Sequence, residues 1–380
     1  MMNFFVIVSY LSMFVLGLAD NIRGPLFPEI IKTFELTGMS SSYFYAATSF
    51  AAFCASVASY SFLRKKSLLF LLNLSLLLMA VSMSLIGWAG TFGVLIVGAV
   101  ILGLSIGGLG VSQNLLVSEN IPLEKRAKAL SGLHSVYGIS SLLAPLMAAQ
   151  ATLAFSTWRS AFFIASMICF VLFVFFIFYK DKTEPAKNSV VPDLQADQPT
   201  SKIPFWGKVT VSGLFAFYVV AEILVSTRLA LYMRENFSMD LEQSSLYVMY
   251  FFVFLFIGRL VFAFVKVAGS VTTHMNLSLI VSLLFLLLGL QVHPFFLTLV
   301  GLAMAPYYPL SVTYISQKTG ANERQYLTIA LSIQSLSVVG MHLGAGYLTD
   351  SAGGVKQAFS IGIAALLISF LCLNGHPKKL

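Results

Sequence analysis

The chain has 380 residues, of which 58% are hydrophobic and 10% are charged, and its formal net charge is +8 at pH 7. Soluble domains average about 45–50% apolar and about 25% charged residues, so this composition excludes a soluble domain. The apolar stretches run for about 20 residues or more, a length that predicts membrane-spanning helices and excludes the alternating strands of a membrane barrel.

Apolar runs divided by polar breaks predict twelve transmembrane helices, which we call spans one to twelve. Their approximate bounds are 3–32, 41–63, 67–88, 91–118, 127–150, 157–179, 205–234, 243–266, 271–290, 294–317, 325–349 and 355–374. The first span has no basic leading region and no small-residue cleavage site, so we expect a retained helix and not a signal peptide.

One internal segment has no apolar run. Residues 181–203 are rich in Pro, Ser, Asp and Lys, a composition that is typical of a flexible linker because it offers little apolar surface to bury. We therefore predict an N-terminal six-helix bundle at 1–180, a cytoplasmic linker at 181–203 and a C-terminal six-helix bundle at 204–380.

The distribution of basic residues predicts the orientation. Loops after even-numbered spans, together with the C-terminal tail, hold sixteen of the 23 Lys and Arg residues, and loops on the other side hold four. By the positive-inside rule both termini are cytoplasmic, in a multi-pass protein of the inner (cytoplasmic) membrane. Topology thus accounts for the net positive charge, and we expect no nucleic-acid partner.

The two halves of the chain repeat one another. Residues 41–67 align with 244–270 without a gap, with Ser-Ser at the start and Ser at the end of both segments. Further matches follow in order at nearly the same offset: Ala19-Asp20 with Ala221-Glu222, Gly103-Leu104 with Gly301-Leu302, and Ala129-Leu130-Ser131 with Ala330-Leu331-Ser332. Ordered matches of this kind predict two parallel structural repeats.

These features resemble the major facilitator superfamily over the whole chain. The resemblance rests on the six-linker-six plan, the basic loops after spans two and eight, the WRSAF opening of span six and Ala144-Pro145 in span five. Three short segments, YVVAEILVST, GRLVF and GLAMAPYYP, are similar to the fucose:proton symporter-like branch. The usual acidic residue of the loop between spans two and three is missing from SYSFLRKKS.

The resemblance implies an all-α membrane protein whose twelve transmembrane helices form two pseudo-symmetric six-helix bundles. It also implies a secondary active transporter that works by alternating access. Spans one and seven of such a fold face each other across a central cavity, where substrate and coupling ion bind.

Two carboxylates lie inside apolar spans at matching positions, Asp20 in span one and Glu222 in span seven. An ionised carboxylate in a bilayer interior costs about 2.5–3.5 kcal/mol on the insertion scale, so each should face a partner or a water-filled cavity. We predict that both residues take part in proton coupling.

The sequence surroundings of the two carboxylates differ. Asp20 is expected to pair with Arg23 on the same helix face, a pair that is consistent with a structural or a functional role. Glu222 has no basic residue three or four positions away, so burial should favour its protonated form. We predict that Glu222 is the proton carrier.

Polar side chains within the spans form the predicted substrate site. Each of these side chains also has a structural interpretation. The amides of Gln113 and Asn114 are also suited to joining helices, and His134 to a hydrogen bond with a helix neighbour. Pro306 and Pro309 are also consistent with an ordinary bend lined by packing tyrosines. The predicted substrate-binding residues are Asn21, Arg23, Gln113, Asn114, His134, Tyr218, Arg228, Tyr307, Tyr308 and Gln334.

A second group of charged residues is predicted to act in gating. Arg259 in span eight is expected to brace two spans or to reach the membrane surface, more than to contact substrate. Glu119 and Arg126 flank the loop after span four, as a cytoplasmic gate or as solvated charges. The predicted gating residues are Arg64, Lys65, Glu119, Arg126 and Arg259.

Motifs of enzymes and metal proteins are absent from the sequence. It contains no Walker loop, no nucleophile elbow and no metal-ligand spacing, and its three cysteines lie in apolar spans. We therefore expect no enzyme, cofactor or metal, and instead a monomer in the lipid bilayer whose partners are a small-molecule substrate and protons or another ion.

The predicted function is proton-coupled uptake of a small polar solute such as a sugar. The alternative is proton-driven efflux of amphipathic or cationic compounds, as in a drug or metabolite exporter. A channel or a non-transporting sensor is a third possibility that the matched carboxylates disfavour.

Overall fold

A computed structural model describes residues 4–178, 205–265, 268–319, 323–351 and 353–375 of the chain. Within these ranges every regular element is an α-helix, and twelve helical segments are long and apolar enough to cross a membrane. The all-α fold with twelve spans is therefore confirmed. The predicted linker at 181–203 lies outside the described residues.

Ten of the twelve spans are single helices, and two are divided. Pro25 and Pro306 each lack the N–H that would continue the helix before them, and a break precedes each proline, at Ile22 and at Ala305. The helices are α1 Phe4–Asn21, α2 Arg23–Phe34, α3 Gly38–Leu63, α4 Leu68–Trp88, α5 Phe92–Asn120, α6 Leu123–Phe155, α7 Arg159–Phe178, α8 Phe205–Phe237, α9 Leu241–Phe264, α10 Val271–Gln291, α11 Phe295–Met304, α12 Tyr307–Thr319, α13 Glu323–Ser351 and α14 Val355–Asn374.

The sequence repeat has a counterpart in helix capping. Ser67, which ends the first aligned segment, caps α4 by accepting a hydrogen bond from Phe70 N at 3.2 Å. Ser270, which ends the second aligned segment, caps α10 by accepting one from Thr273 N at 3.1 Å. Both serines satisfy amides that have no partner within their helix.

Helix packing repeats in the same way. A Cβ atom added at Gly103 of α5 would lie 2.2 Å from the carbonyl oxygen of Thr48 in α3, and one added at Gly301 of α11 would lie 2.3 Å from that of Phe251 in α9. Real side chains do not approach so closely, so glycine lets each pair of backbones touch. The matched Gly-Leu pairs therefore mark equivalent close contacts.

The described residues fall into two compact units, one drawn from Met1–Arg23 with Ala47–Asp197 and the other from Gly24–Ala46 with Gln198–Leu380. Residues 24–46 come from the first sequence repeat but belong to the second unit. The division into bundles at the linker remains a prediction.

Candidate functional site

The first candidate site lies at the break between α1 and α2. Arg23 Nη2 donates a charge-assisted hydrogen bond to Asp20 Oδ1, and Arg23 Nε donates to the main-chain oxygen of Asp20 at 3.0 Å. The expected Asp20–Arg23 pair is confirmed as a contact. The side chain of Arg23 is only 7% exposed and that of Asp20 is 25% exposed, so the guanidinium is the buried member of the pair.

Helix α6 supplies the other partners of this site. Tyr137 Oη donates to Asp20 Oδ2 at 2.7 Å, and Asn21 Nδ2 donates to Ser141 Oγ at 2.9 Å and to Tyr137 Oη at 3.2 Å. Both carboxylate oxygens of Asp20 are thus bonded to protein groups. We call Asp20, Asn21, Arg23, Tyr137 and Ser141 the Asp20 site.

The sequence prediction did not include Tyr137 and Ser141 because spacing along α6 cannot show which helix it packs against. A signal was present in the small residues of both helices. A Cβ added at Gly17 of α1 would lie 1.9 Å from Ser140 Oγ of α6, so a glycine faces a serine where the two helices meet.

The second candidate site lies in the middle of α8. The hydroxyl of Tyr218 lies within hydrogen-bond distance of Glu222 Oε2 and also of the main-chain oxygen of Met304, at 3.0 Å. Arg259 Nη2 of α9 lies 3.6 Å from Glu222 Oε1. We call Tyr218, Glu222 and Arg259 the Glu222 site.

This arrangement corrects the expectation that Glu222 has no cationic partner. Positions three and four residues away on the same helix are not basic, but α9 places Arg259 beside the carboxylate. Arg259 therefore braces two spans, as expected of it. The Arg259 side chain is 36% exposed, against 7% for Arg23, and the side chain of Glu222 is 20% exposed, against 25% for Asp20. The ion pair of the Glu222 site is therefore longer than that of the Asp20 site, and its arginine is more exposed to water.

A layer of tyrosine lies behind the Glu222 site. The ring of Tyr307 at the start of α12 stacks on Tyr218 with centroids 4.4 Å apart. Its hydroxyl donates to the carbonyl of Leu214 at 3.1 Å and lies 2.9 Å from Ser369 Oγ. Tyr307 is fully buried, so it supports the ring of Tyr218, while half-buried Tyr308 lies against Phe215 with centroids 5.2 Å apart.

A family model of the Major Facilitator Superfamily matches residues 9–327. The chain belongs to the major facilitator superfamily. This family and this fold are those of transporters, and its members bind small-molecule substrates. The chain is accordingly a multi-pass membrane protein with twelve candidate spans.

Curated relatives match this superfamily member to different extents. It is 28% identical over 327 residues to the glucose/mannose transporter GlcP of Bacillus subtilis (strain 168). The aligned region covers 81% of this chain and 79% of GlcP. It is 30% identical over 94 residues to the MFS-type transporter olcL of Penicillium canescens, which covers 25% of this chain and only 16% of olcL.

Solved structures share the fold at low sequence identity. The xylose transporter XylE from E. coli has a TM-score of 0.74 at 13% identity, with 96% of this chain and 95% of XylE covered. The E. coli fucose:proton symporter FucP has a TM-score of 0.62 at 17% identity, with 98% of both chains covered.

The structure places the remaining predicted substrate residues apart from the hydrogen bonds of both sites. Gln113 is fully buried, and among the described residues neither atom of its amide has a hydrogen-bond partner. Asn114 donates to the carbonyl of Gly110 at 2.7 Å, on a face of α5 where a Cβ at Gly110 would meet open space. His134 is exposed, and Gln334 is half-buried.

Arg228 belongs to a third cluster. Its guanidinium lies over the ring of Phe27 at 4.6 Å and that of Tyr45 at 5.6 Å, and its Nη2 donates to Ser42 Oγ at 2.8 Å. The residue is only 2% exposed. Arg228 therefore joins α8 to α2 and α3.

Three of the residues predicted to act in gating are exposed. Arg64 and Lys65 are exposed at the end of α3. Glu119 is exposed and Arg126 is half-buried, and they form no ion pair with each other in the part of the chain that is described. A gate made by this pair stays a prediction.

Proposed function

We propose that this chain is a proton-coupled transporter that takes up a small polar solute, with sugars as the leading class, and that Glu222 carries the proton. The observation that carries the proposal is the pairing of Glu222 with Arg259 at 3.6 Å inside the spans. An ionised carboxylate inside a span requires a partner, and the partner of Glu222 lies on another helix and is partly exposed.

The chemistry of the Glu222 site follows from its three groups. In the ionised form the carboxylate accepts a hydrogen bond from the hydroxyl of Tyr218 and attracts the guanidinium of Arg259. In the protonated form it becomes a donor, and Arg259 loses the charge that holds it. Proton binding and pairing with Arg259 therefore compete, and Arg259 is free to move when a proton is bound.

Asp20 has a different role in this proposal. Each of its carboxylate oxygens already accepts a hydrogen bond, from Arg23 and from Tyr137. These two bonds hold the side chain of Asp20 in place. We therefore assign Asp20 and Arg23 to shaping the break in span one and to contacting substrate, and not to carrying the proton.

The solute class is supported by the comparisons and by the side-chain chemistry. GlcP is named a glucose/mannose transporter, XylE a xylose transporter and FucP a fucose:proton symporter. Tyrosine hydroxyls, amides and carboxylates are groups that hydrogen-bond a neutral polyhydroxylated solute. The proposal places the protein as a monomer in the inner membrane, with both termini cytoplasmic, and working by alternating access.

The decisive experiment is pH-dependent counterflow and proton-driven uptake in liposomes that contain the purified protein, with hexoses and pentoses as solutes. Glu222→Gln should keep exchange of solute but lose accumulation driven by a proton gradient. The matched control is Glu242→Gln, an exposed glutamate in the first turn of α9, which should be driven as well as the wild type.

Two outcomes would contradict the proposal. If Glu222→Gln accumulates sugar as strongly as the wild type, the proton carrier is elsewhere. If no sugar is exchanged by the wild type but lipophilic cations leave the liposomes under a proton gradient, the protein is an exporter.

A further inference from the structure

A groove lies on the surface of the first compact unit, between α4 and α7, which are spans three and six. Its volume is about 720 Å³, within the range of about 300–1,000 Å³ that is typical of ligand pockets. Most of its apolar side chains are exposed, and the surroundings of a membrane-spanning chain are lipid. The apolar lining includes Leu77, Val81, Trp88, Phe163, Met167 and Phe170.

The length of the groove matches one leaflet of a bilayer. Leu77 precedes Trp88 by eleven residues in α4, which is about 16 Å in a helix that rises about 1.5 Å per residue. The hydrocarbon core is about 30 Å thick, so one leaflet takes up about 15 Å of it. Trp88 ends α4 and is 76% exposed, and tryptophan is enriched at the level of lipid headgroups. The groove therefore runs from the membrane surface to about the midplane.

Two serines inside the groove use their hydroxyl hydrogens within the protein. Ser166 Oγ donates to the main-chain oxygen of Ala80 at 2.7 Å, and Ser84 Oγ lies 2.7 Å from Ser166 Oγ. A hydroxyl group has a single hydrogen, so Ser84 is the donor in the second bond. Neither serine has a hydrogen left for an occupant. The inner part of the groove therefore favours a hydrocarbon chain over a hydroxylated solute.

A positive charge lies at the Trp88 end of the groove. Arg159, in the first turn of α7, donates through Nη1 to the main-chain oxygens of Gly87 at 2.9 Å and of Ala89 at 2.6 Å. These bonds satisfy carbonyls at the end of α4, and they hold the guanidinium next to Trp88. Because the guanidinium matches the geometry of a phosphate group, the charge favours an anionic headgroup at this end.

The second sequence repeat lacks most of these side chains. The helices α4 and α10 both have 21 residues and align at an offset of 203, and WRSAF at the start of span six aligns with VKQAF at the start of span twelve. The repeated fold therefore does not require the serine pair or the tryptophan, whereas both repeats carry the positive charge. The equivalent residues are Leu287 for Ser84, Gln291 for Trp88, Ile363 for Ser166 and Lys356 for Arg159.

We propose that this groove binds an acyl chain of an anionic phospholipid, whose phosphate group lies beside Arg159 and whose chain follows Leu77, Val81 and Phe170. The length of one leaflet, the absence of serine donors and the charge at one end together favour this occupant. A two-fold dimer through the same face would bring two copies of Arg159 to one membrane level, which disfavours a second copy of the chain. The proposal depends on the membrane location of the protein and not on its solute.

Quenching of tryptophan fluorescence by lipids with brominated acyl chains tests this proposal on the full chain in liposomes. The chain has three tryptophans, so Trp158→Phe with Trp206→Phe leaves Trp88 as the reporter. Brominated phosphatidylglycerol is the anionic probe and brominated phosphatidylcholine the neutral one. Quenching of Trp88 should saturate at a low fraction of the anionic lipid. The apparent affinity should be about fivefold higher than for the neutral lipid, the effect of one basic residue near a lipid surface.

The matched control is a reporter at the equivalent position of the second repeat. Gln291→Trp, in a chain that has all three native tryptophans replaced by Phe, places an exposed indole at the end of α10. Lys356 provides the equivalent charge in sequence, but the groove side chains are different. Quenching of this reporter should rise in proportion to the brominated fraction, without saturation.

Further variants separate the charge from the groove. Arg159→Gln should abolish the preference of the Trp88 reporter for the anionic lipid, and Arg159→Lys should restore most of it. Val81→Phe places a larger side chain at an exposed position of the groove, so it should remove the saturation while the fold is kept. Leu284→Phe makes the equivalent change on exposed Leu284 of α10 and should leave the quenching of Trp88 unchanged.

Three outcomes would overturn the lipid site. They are equal affinity of the Trp88 reporter for both lipids, saturation that survives Val81→Phe, and equal saturation at the Gln291→Trp reporter. Protection of Trp88 from every brominated lipid, in a protein that cross-links as a dimer, would identify a second copy as the occupant and would also overturn it. Because the readout needs no solute, each result is independent of whether the protein transports sugar.

Discussion

The Asp20 site and the Glu222 site contain the same kinds of side chain, but the two sites differ in which partner is close in sequence and which comes from another helix. Each carboxylate is bonded to one arginine and one tyrosine. In the first site the arginine comes from the same span, three residues on, and the tyrosine comes from α6. In the second site the tyrosine is on the same helix, four residues back, and the arginine comes from α9.

This difference decides how firmly each carboxylate is held by its arginine. Arg23 is held by a side-chain bond and a main-chain bond to the same residue, and it follows Asp20 by only three positions along the chain. Arg259 reaches Glu222 from another helix across 3.6 Å and is half-exposed, so small movements of α9 against α8 change the pairing. The ion pair of the first site is therefore held more firmly than that of the second.

The largest difference between the two sites should appear in transport. Glu222→Gln should lower proton-driven accumulation by about a hundredfold or more while exchange stays within about threefold of wild type, since only the coupling step needs the proton. Asp20→Asn should lower both activities together, because it removes the charge to which the buried Arg23 is bonded. Parallel uptake and counterflow measurements separate the two patterns, and identical patterns would remove the distinction between the sites.

Stability should show the same contrast at the arginines. Removing one partner of a well-buried ion pair costs about 3–5 kcal/mol, and since Asp20 is 25% exposed we expect about 2–3 kcal/mol for Arg23→Gln. Arg259→Gln should cost about 1 kcal/mol or less because the pair is long and partly hydrated. Thermal unfolding in detergent measures both, and a larger loss in Arg259→Gln would reverse the interpretation.

The equivalent glycines test whether the repeats pack alike. Gly103→Ala and Gly301→Ala should each destabilise the protein by about 1–3 kcal/mol, since the new methyl group would meet a neighbouring backbone carbonyl. Gly110→Ala is the control on the same helix as Gly103, and it should be neutral or stabilising by about 0.5–1 kcal/mol because its Cβ enters open space. Unequal losses at Gly103 and Gly301, measured by thermal unfolding, would show that only one contact is tight.

The smallest expected difference is between two tyrosine hydroxyls that join α1 and α6. Tyr137→Phe removes a hydrogen bond to the charged Asp20 and should cost about 1.5–3 kcal/mol, whereas Tyr10→Phe removes one to the neutral carbonyl of Ala129, 2.6 Å away, and should cost about 0.5–1.5 kcal/mol. Thermal unfolding of both variants gives the difference. Equal losses would mean that the charge of Asp20 does not strengthen its hydrogen bond with Tyr137.

Much of the architecture was predictable because it depends on local sequence. Twelve apolar runs, the alternation of basic loops and the irregular backbone at Pro306 can each be found in a window of about 20 residues. The pair of Asp20 with Arg23 was predictable because the two residues are only three positions apart, although the break between α1 and α2 at Ile22 was not predicted. The repeat also pointed to Gly103 and Gly301 as equivalent positions.

The partners that come from other helices were not predictable in this way. Three side chains lie far away in sequence from the groups that they contact. Tyr137 donates to Asp20, Arg259 pairs with Glu222, and Asp350 accepts from amides in the first turn of α3. Which face of one span meets another depends on glycine and serine contacts spread over several helices, and no short segment contains that information.

The sequence by itself determined the medium, the number of spans and the positions of two carboxylates within them, because the cost of placing polar groups in lipid acts on each span separately. Only the tertiary structure decided how firmly each carboxylate is held and where residues 24–46 belong. Those outcomes depend on distances between side chains of different helices, and such distances are fixed by the packing of the whole unit.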